Sequence, residues 1–140
     1  MINIRFFMGS VLILATSCSD NKPFDIIGTW GAKFNSMYRE YTFTEKNLII
    51  YDEYFGAQMF DYNIQNDTIT VFRNENRKEV RERYFILHGN RNRLRFRIEI
   101  NLIVDLKKVQ TQLDLTKIFD ENKNEFDSYV SEFLSRSGEQ

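Results

Sequence analysis

One cysteine, one proline, one tryptophan and one histidine occur in 140 residues, together with only six glycines. Each scarcity excludes something. A lone cysteine, Cys18, makes no internal disulfide. One histidine and one cysteine leave no cluster for zinc, and any Ser-His-Asp or Cys-His arrangement would have to use His88. Glycine and proline are too few for a linker-rich or low-complexity chain. An excess of one charge is also missing: 19 Lys and Arg stand against 20 Asp and Glu, so no nucleic-acid partner is expected. The apolar runs fall short of the roughly 20 residues of a spanning helix.

The remaining chemical candidates are few. His88 falls in the turn-forming stretch His88-Gly89-Asn90-Arg91-Asn92, where a solvated imidazole is expected. Asp120-x-Asn122-x-Asn124 begins like a calcium loop, but the sixth position is Glu125 and the twelfth Ser131, which excludes an EF-hand. Asp52 and Glu53 are sequence neighbours and would face opposite sides of a strand, not one substrate. The chain is therefore expected to carry no catalytic residue, metal or cofactor, and not to be an enzyme.

Three of the four residues that occur once, Cys18, Pro23 and Trp30, crowd into the stretch Leu14 to Trp30. Before it, Arg5 and the amino terminus supply positive charge, and Phe6 to Ala15 form a mostly apolar run ending in small residues, the layout of a secretory signal. Ala15-Thr16-Ser17-Cys18 resembles the lipobox of bacterial lipoproteins, with Leu14 one place before the usual leucine. That resemblance implies cleavage before Cys18 and lipidation of its sulfur, hence a membrane partner through an N-terminal anchor and an address in the cell envelope. Several acyl chains on one residue would hold durably, at about 0.8 kcal/mol for each buried methylene. The alternative is a secretory signal followed by an incidental cysteine. Ser19-Asp20 resembles the acidic surface-export signals of Bacteroidota lipoproteins, so periplasmic and surface display both stay open.

Between Ile26 and Val109 apolar residues recur in short alternating runs separated by polar turns, the signature of strands. Leu94, Phe96, Ile98 and Ile100 share one parity, and Arg93, Arg95, Arg97 and Glu99 the other, as in a half-buried antiparallel strand. Further runs are Ile27 to Phe34, Tyr41 to Phe43, Leu48 to Tyr51, Ala57 to Ile64, Thr68 to Phe72, Val80 to Leu87 and Leu102 to Val109. About eight strands in up-and-down order would close a small barrel and remove exposed edges. Farther on, Phe126, Tyr129, Val130, Phe133 and Leu134 lie at i, i+3, i+4, i+7 and i+8, one stripe of a helix that would end near Gly138. The stripe is expected to pack on the outside of the barrel or to cover one mouth, with a partner-binding helix as the alternative.

Gly28-Thr29-Trp30 at the opening of the first strand resembles the Gly-x-Trp motif of lipocalins, and Tyr62 to Val71 resembles the hairpin of lipocalin-like domains in Bacteroidota lipoproteins. The resemblance spans roughly Ile26 to Val109 and implies an all-β, mainly antiparallel, up-and-down barrel whose tryptophan closes one end against a basic side chain from a late strand. Arg95 and Arg97 are the candidates for that side chain. The resulting layout is a signal peptide over 1–17, a lipidated cysteine and tether over 18–25, a barrel over 26–112, and a C-terminal helix and tail over 113–140.

Two functions follow. One is sequestration of a small apolar or amphipathic ligand inside the barrel, lined by inward aromatics such as Trp30, Phe43, Phe60, Tyr62 and Phe96. The other is a packed structural or interaction module, since a small barrel filled with large side chains has no room for a ligand. For the second, the stretch Arg73 to Arg97 holds nine basic residues against three glutamates. Arg91, Arg93, Arg95 and Arg97 share one parity and would form a basic ridge suited to phosphate or carboxylate. Its candidate partners are anionic lipid, acidic glycan or acidic protein. Its bland counterpart is a solvated face balanced by cross-strand acids.

Overall fold

Alternating side chains give eight strands, each antiparallel to the next, and in the computed structural model they close into a barrel in sequence order. The structure describes residues 24–34, 36–73, 78–98, 102–111, 113, 115 and 123–138. The strands are β1 (Gly28–Phe34), β2 (Met37–Phe43), β3 (Asn47–Asp52), β4 (Gly56–Gln65), β5 (Thr68–Phe72), β6 (Val80–Gly89), β7 (Arg93–Ile98) and β8 (Leu102–Lys108), followed by the helix α1 (Lys123–Gly138). The signal segment, Cys18, Pro23, Glu75, Arg77, Ile100 and the Asp120-x-Asn122 helix entry lie outside the described residues. Among those described, no helix is long and apolar enough to cross a membrane.

Turn chemistry sets the register. Asn66 and Asp67 between β4 and β5 both have positive φ, 47° and 59°, as a two-residue hairpin whose twist suits its strands requires. Because consecutive strands alternate in direction, one end of the barrel holds Gly28 and the 44–46, 66–67 and 90–92 turns. The other holds the 53–55 turn and the ends of β1, β5 and β7. We call these the entry end and the far end.

The inward parity assembles one core, including Trp30, Tyr41, Phe43, Leu48, Ile69, Val71, Tyr84, Leu94 and Phe96. A second core lies outside the barrel, where α1 covers β2 and β3. Tyr51 meets Tyr129 and Phe133 edge-on at 5.2 and 4.6 Å between ring centroids, and Tyr38 meets Phe133 at 5.1 Å. β2 and β3 are therefore buried on both faces. The stripe packs on the barrel wall rather than over a mouth. Leu134, expected within that stripe, is 51% exposed, because the contact runs through Phe126, Tyr129, Val130 and Phe133 instead.

Candidate functional site

At the entry end, Trp30 is fully buried, its indole N–H donates to the Ile26 carbonyl at 2.7 Å, and Phe24 packs edge-on against it at 5.7 Å. The basic side chain over the ring is Lys108 of β8, its Nζ 4.3 Å from the ring centroid and donating to the Ile27 carbonyl at 2.6 Å. The expectation of Arg95 or Arg97 is corrected here: both point outward from β7, whereas Lys108 has the inward parity opposite Trp30. Gly28 has φ of +117°, and a Cβ there would collide with the Lys108 ammonium. The glycine of the Gly-x-Trp triplet thus makes room for the lysine, and burial holds that ammonium below the ordinary lysine pKa. Replacing Lys108 by Met is expected to cost about 1–2 kcal/mol, the combined scale of a cation-π contact and a charged hydrogen bond. A urea midpoint equal to that of the parent would refute this.

The five aromatic lining candidates do meet inside the barrel. Trp30, Leu48, Ile69, Val71, Leu94 and Phe96 are 0% exposed, so nothing the size of water touches them. Phe43 packs edge-on to Tyr62 at 5.4 Å, and Phe96 stacks on Tyr84 at 4.8 Å. The Tyr62 hydroxyl donates to the Thr44 carbonyl at 2.5 Å, and Phe60 lies under the Arg81 guanidinium at 4.1 Å. Each of the five rings already has a partner at packing distance. A ligand among them would have to displace side chains already at packing distance.

Polar chemistry gathers at the far end instead. Inward parity puts Arg39 of β2 beside Asp52 of β3, with Arg39 Nη2 donating to Oδ2 at 3.0 Å. Asp52 Oδ1 accepts the N–H groups of Tyr54 and Phe55, at 3.0 and 2.8 Å, so the same carboxylate caps the β3–β4 turn. A β-bulge at Val71/Phe72 opposite β6 makes Arg81 an extra residue, and it brings both Arg81 and Glu82 to the wall of one cavity of about 150 Å³ with Arg39 and Asp52. Glu82 Oε2 accepts the Tyr84 hydroxyl at 2.6 Å. Arg39 Nε is buried without a hydrogen-bond partner, which costs on the order of 1–3 kcal/mol. Burial raises the pKa of the Tyr41 hydroxyl beneath, while the nearby Arg39 charge pulls the other way.

Outside, between barrel and helix, the carboxylate of Glu40 is 0% exposed. It accepts Arg136 Nε at 2.7 Å, Arg136 Nη2 at 3.1 Å, the Tyr38 hydroxyl at 2.9 Å and the Tyr129 hydroxyl. Four donors satisfy one carboxylate, as a buried charge requires. Gly31 allows this arrangement, because any Cβ there would strike the Tyr38 ring and hydroxyl.

The arginine ridge is placed on the outer face of β7. Arg95 pairs with Asp105 across to β8, at 2.5 and 3.0 Å. Arg93 stands opposite Lys107, and Arg97 opposite Ile103, its guanidinium 5.1 Å over the Phe85 ring. Arg91 is exposed in the preceding turn. His88 is exposed at the end of β6, its Nε2 3.3 Å from the Asn90 amide. Among the described residues no group of three His, Cys, Asp or Glu is placed to hold a metal.

Lys108, Glu40, Arg136 and the Arg39–Asp52–Arg81–Glu82 group escaped the sequence. Asp52 was read only as the neighbour of Glu53, facing the opposite side of a strand. Only the inward parity of Asp52 next to Asn47-to-Tyr51 carried a signal. Compared with known families, curated proteins and solved structures, the chain finds no match.

Proposed function

We propose that this protein is a lipid-anchored module of the bacterial envelope whose filled barrel acts through its surface, docking the outer face of β6–β8 on anionic lipid headgroups. The observation that carries this reading is the charge pattern of that face. Arg83, Arg93, Arg95, Arg97 and Lys107 face outward, and among the described residues Asp105 is the one acid in register with them, opposite Arg95. Cross-strand acids balance a solvated face; here Arg93 meets a lysine and Arg97 an isoleucine.

The anchor favours lipid over other anions. Phe24 lies against Gly89, at the β6–β7 hairpin that leads into Arg91 and Arg93. Six residues from Cys18 to Phe24 span at most about 20 Å. A lipidated Cys18 would therefore hold the basic hairpin within reach of the headgroups, where each Lys or Arg contributes about 1 kcal/mol. The apolar-ligand reading has the weaker support, since the aromatics that would line the site fill it themselves.

The test is sedimentation of the chain from Asn21 onward with anionic and neutral vesicles. Binding to the anionic vesicles is expected to fall about 30-fold when Arg93, Arg95 and Arg97 are all replaced by Gln, with two unpaired charges setting the scale. Equal binding of parent and variant would overturn the proposal.

A further inference from the structure

At the entry end, on the rim of the filled interior, a cleft of about 470 Å³ opens between the β4–β5 hairpin and the end of β6. Phe24, Ile26, Ile64, Ile86 and Leu87 form its apolar wall, and the 66–67 turn with His88 supplies the polar part. The Ile86 N–H donates to the Asp67 carbonyl at 2.7 Å, which ties that turn to β6. A β-bulge makes Leu87 an extra residue between Ile86 and His88. Ile64 and Leu87 border the cleft yet are 45% and 49% exposed, so apolar surface here stands in water.

Two observations say what covers that surface. Phe24 forms one wall with its ring against Gly89, and the chain from Cys18 to Phe24 spans at most about 20 Å. A lipid anchor on Cys18 would hold the cleft at the bilayer. Gly89 also leads from the cleft into the 90–92 turn, where Asn90 Oδ1 accepts the N–H groups of Asn92 and Arg93, both at 2.9 Å. Arg91 and Arg93 are exposed there, which sets guanidinium groups beside an apolar cleft.

We propose that the cleft takes up one acyl chain of an anionic bilayer phospholipid, whose phosphate meets Arg91 and Arg93. The inference rests on the docking proposed above and gives it a site for a single lipid. Guanidinium groups suit phosphate oxygens. The chain exchanges one apolar environment for another, so the gain comes from Ile64 and Leu87 leaving water. Size agrees with one chain: about 470 Å³ lies within the range of small-molecule sites, about 300–1,000 Å³, and the rest of the lipid stays in the bilayer. The acyl chains on Cys18 itself match the site less well, because they bring no phosphate to the arginines.

The experiment is photo-crosslinking of the full chain, reconstituted in phosphatidylglycerol–phosphatidylcholine vesicles that carry a trace of phosphatidylglycerol with a diazirine midway along one acyl chain. Mass spectrometry of the peptides is expected to place adducts on Phe24 and on residues 64–67 and 86–89. Ile64→Asn and Leu87→Asn are each expected to lower those adducts about 5- to 10-fold, the scale of one apolar side chain lost from the contact. Both positions reach solvent, and a circular dichroism melt matching the parent's shows that the variants fold. Adducts confined to residues before Phe24, or to the outer faces of β7 and β8, overturn the proposal. So does cleft labelling that is unchanged in both folded variants. Docking is read separately, by sedimentation of the variant lacking Arg93, Arg95 and Arg97. Arginine-dependent sedimentation without cleft adducts overturns the acyl site alone, whereas cleft adducts without that dependence uphold the acyl site and overturn the docking.

Discussion

Raising the pH above 10 is expected to unfold this protein in a steep transition, completed by about pH 12. Four tyrosine hydroxyls set the expectation: Tyr38 and Tyr129 between barrel and helix, Tyr41 and Tyr84 inside the barrel, each 3% exposed or less. Burial is the largest cause holding their pKa values up. For Tyr38 and Tyr129 the Glu40 charge and the hydrogen bond to it add to burial, with Arg136 opposing. For Tyr84 the neighbouring Tyr41 and Glu82 add to burial.

An unfolded chain releases tyrosine protons near pH 10, while the folded one keeps them. Above that pH the unfolded state holds fewer protons than the native state, so stability is complete below 10 and falls as pH rises. Each retained proton costs about 1.4 kcal/mol per pH unit, and four together about 5. Two such units remove about 11 kcal/mol, more than the middle of the range of about 5–15 kcal/mol by which domains are stable. Lys108, whose pKa burial lowers, works in the opposite sense but as a single group. Tyrosinate absorbance and far-ultraviolet circular dichroism, followed together against pH, should change in one step. Smooth titration of all the tyrosines near pH 10 with the fold intact would refute the expectation.

Replacing Glu40 by Ala is expected to destabilise the protein by about 3–5 kcal/mol, the cost of removing one partner from a buried ion pair. Three donor groups lose their acceptor at once. Arg136 keeps only the part-exposed Glu132, at 3.0 Å, while Tyr38 and Tyr129 are left with buried hydroxyls. Glu40→Gln should cost less, since the amide oxygen still accepts one hydroxyl, although its NH₂ faces the remaining donors. The loss should appear as a lower urea midpoint and as faster hydrogen exchange across α1. A change of less than about 1 kcal/mol in the alanine variant would show that the apolar contacts of Tyr129 and Phe133 hold the helix without the carboxylate.

Much of the barrel was legible because one-sided burial writes itself as alternation. On β7, Leu94, Phe96 and Ile98 face in while Arg93, Arg95 and Arg97 face out, as their parity implied. β2 was read only from Tyr41, yet it begins at Met37. The reason is its double burial: Glu40 sits on the face that α1 covers, and a buried carboxylate reads as a surface residue. The helical stripe was visible, but its destination depended on the outward faces of β2 and β3. The far-end group of Arg39, Asp52, Arg81 and Glu82 was hidden for a different reason. A bulge changes parity by one residue, and nothing in Val80-Arg81-Glu82 announces that Arg81 and Glu82 share a cavity wall.

The latch on Glu40 also dictates an order of events. Its donors lie far along the chain, Tyr129 by 89 residues and Arg136 by 96. The seam between β1 and β8 likewise joins Trp30 to Lys108. Neither contact exists until the chain has been made as far as β8 and α1, and loop-closure entropy makes such distant pairings slow. A chain emerging from its amino terminus would therefore show Tyr38, Ile49 and Tyr51 to water before their cover arrives. The last sixteen helical residues then act as the finishing step of folding, and a chain truncated before Lys123 is the form a holding chaperone would bind.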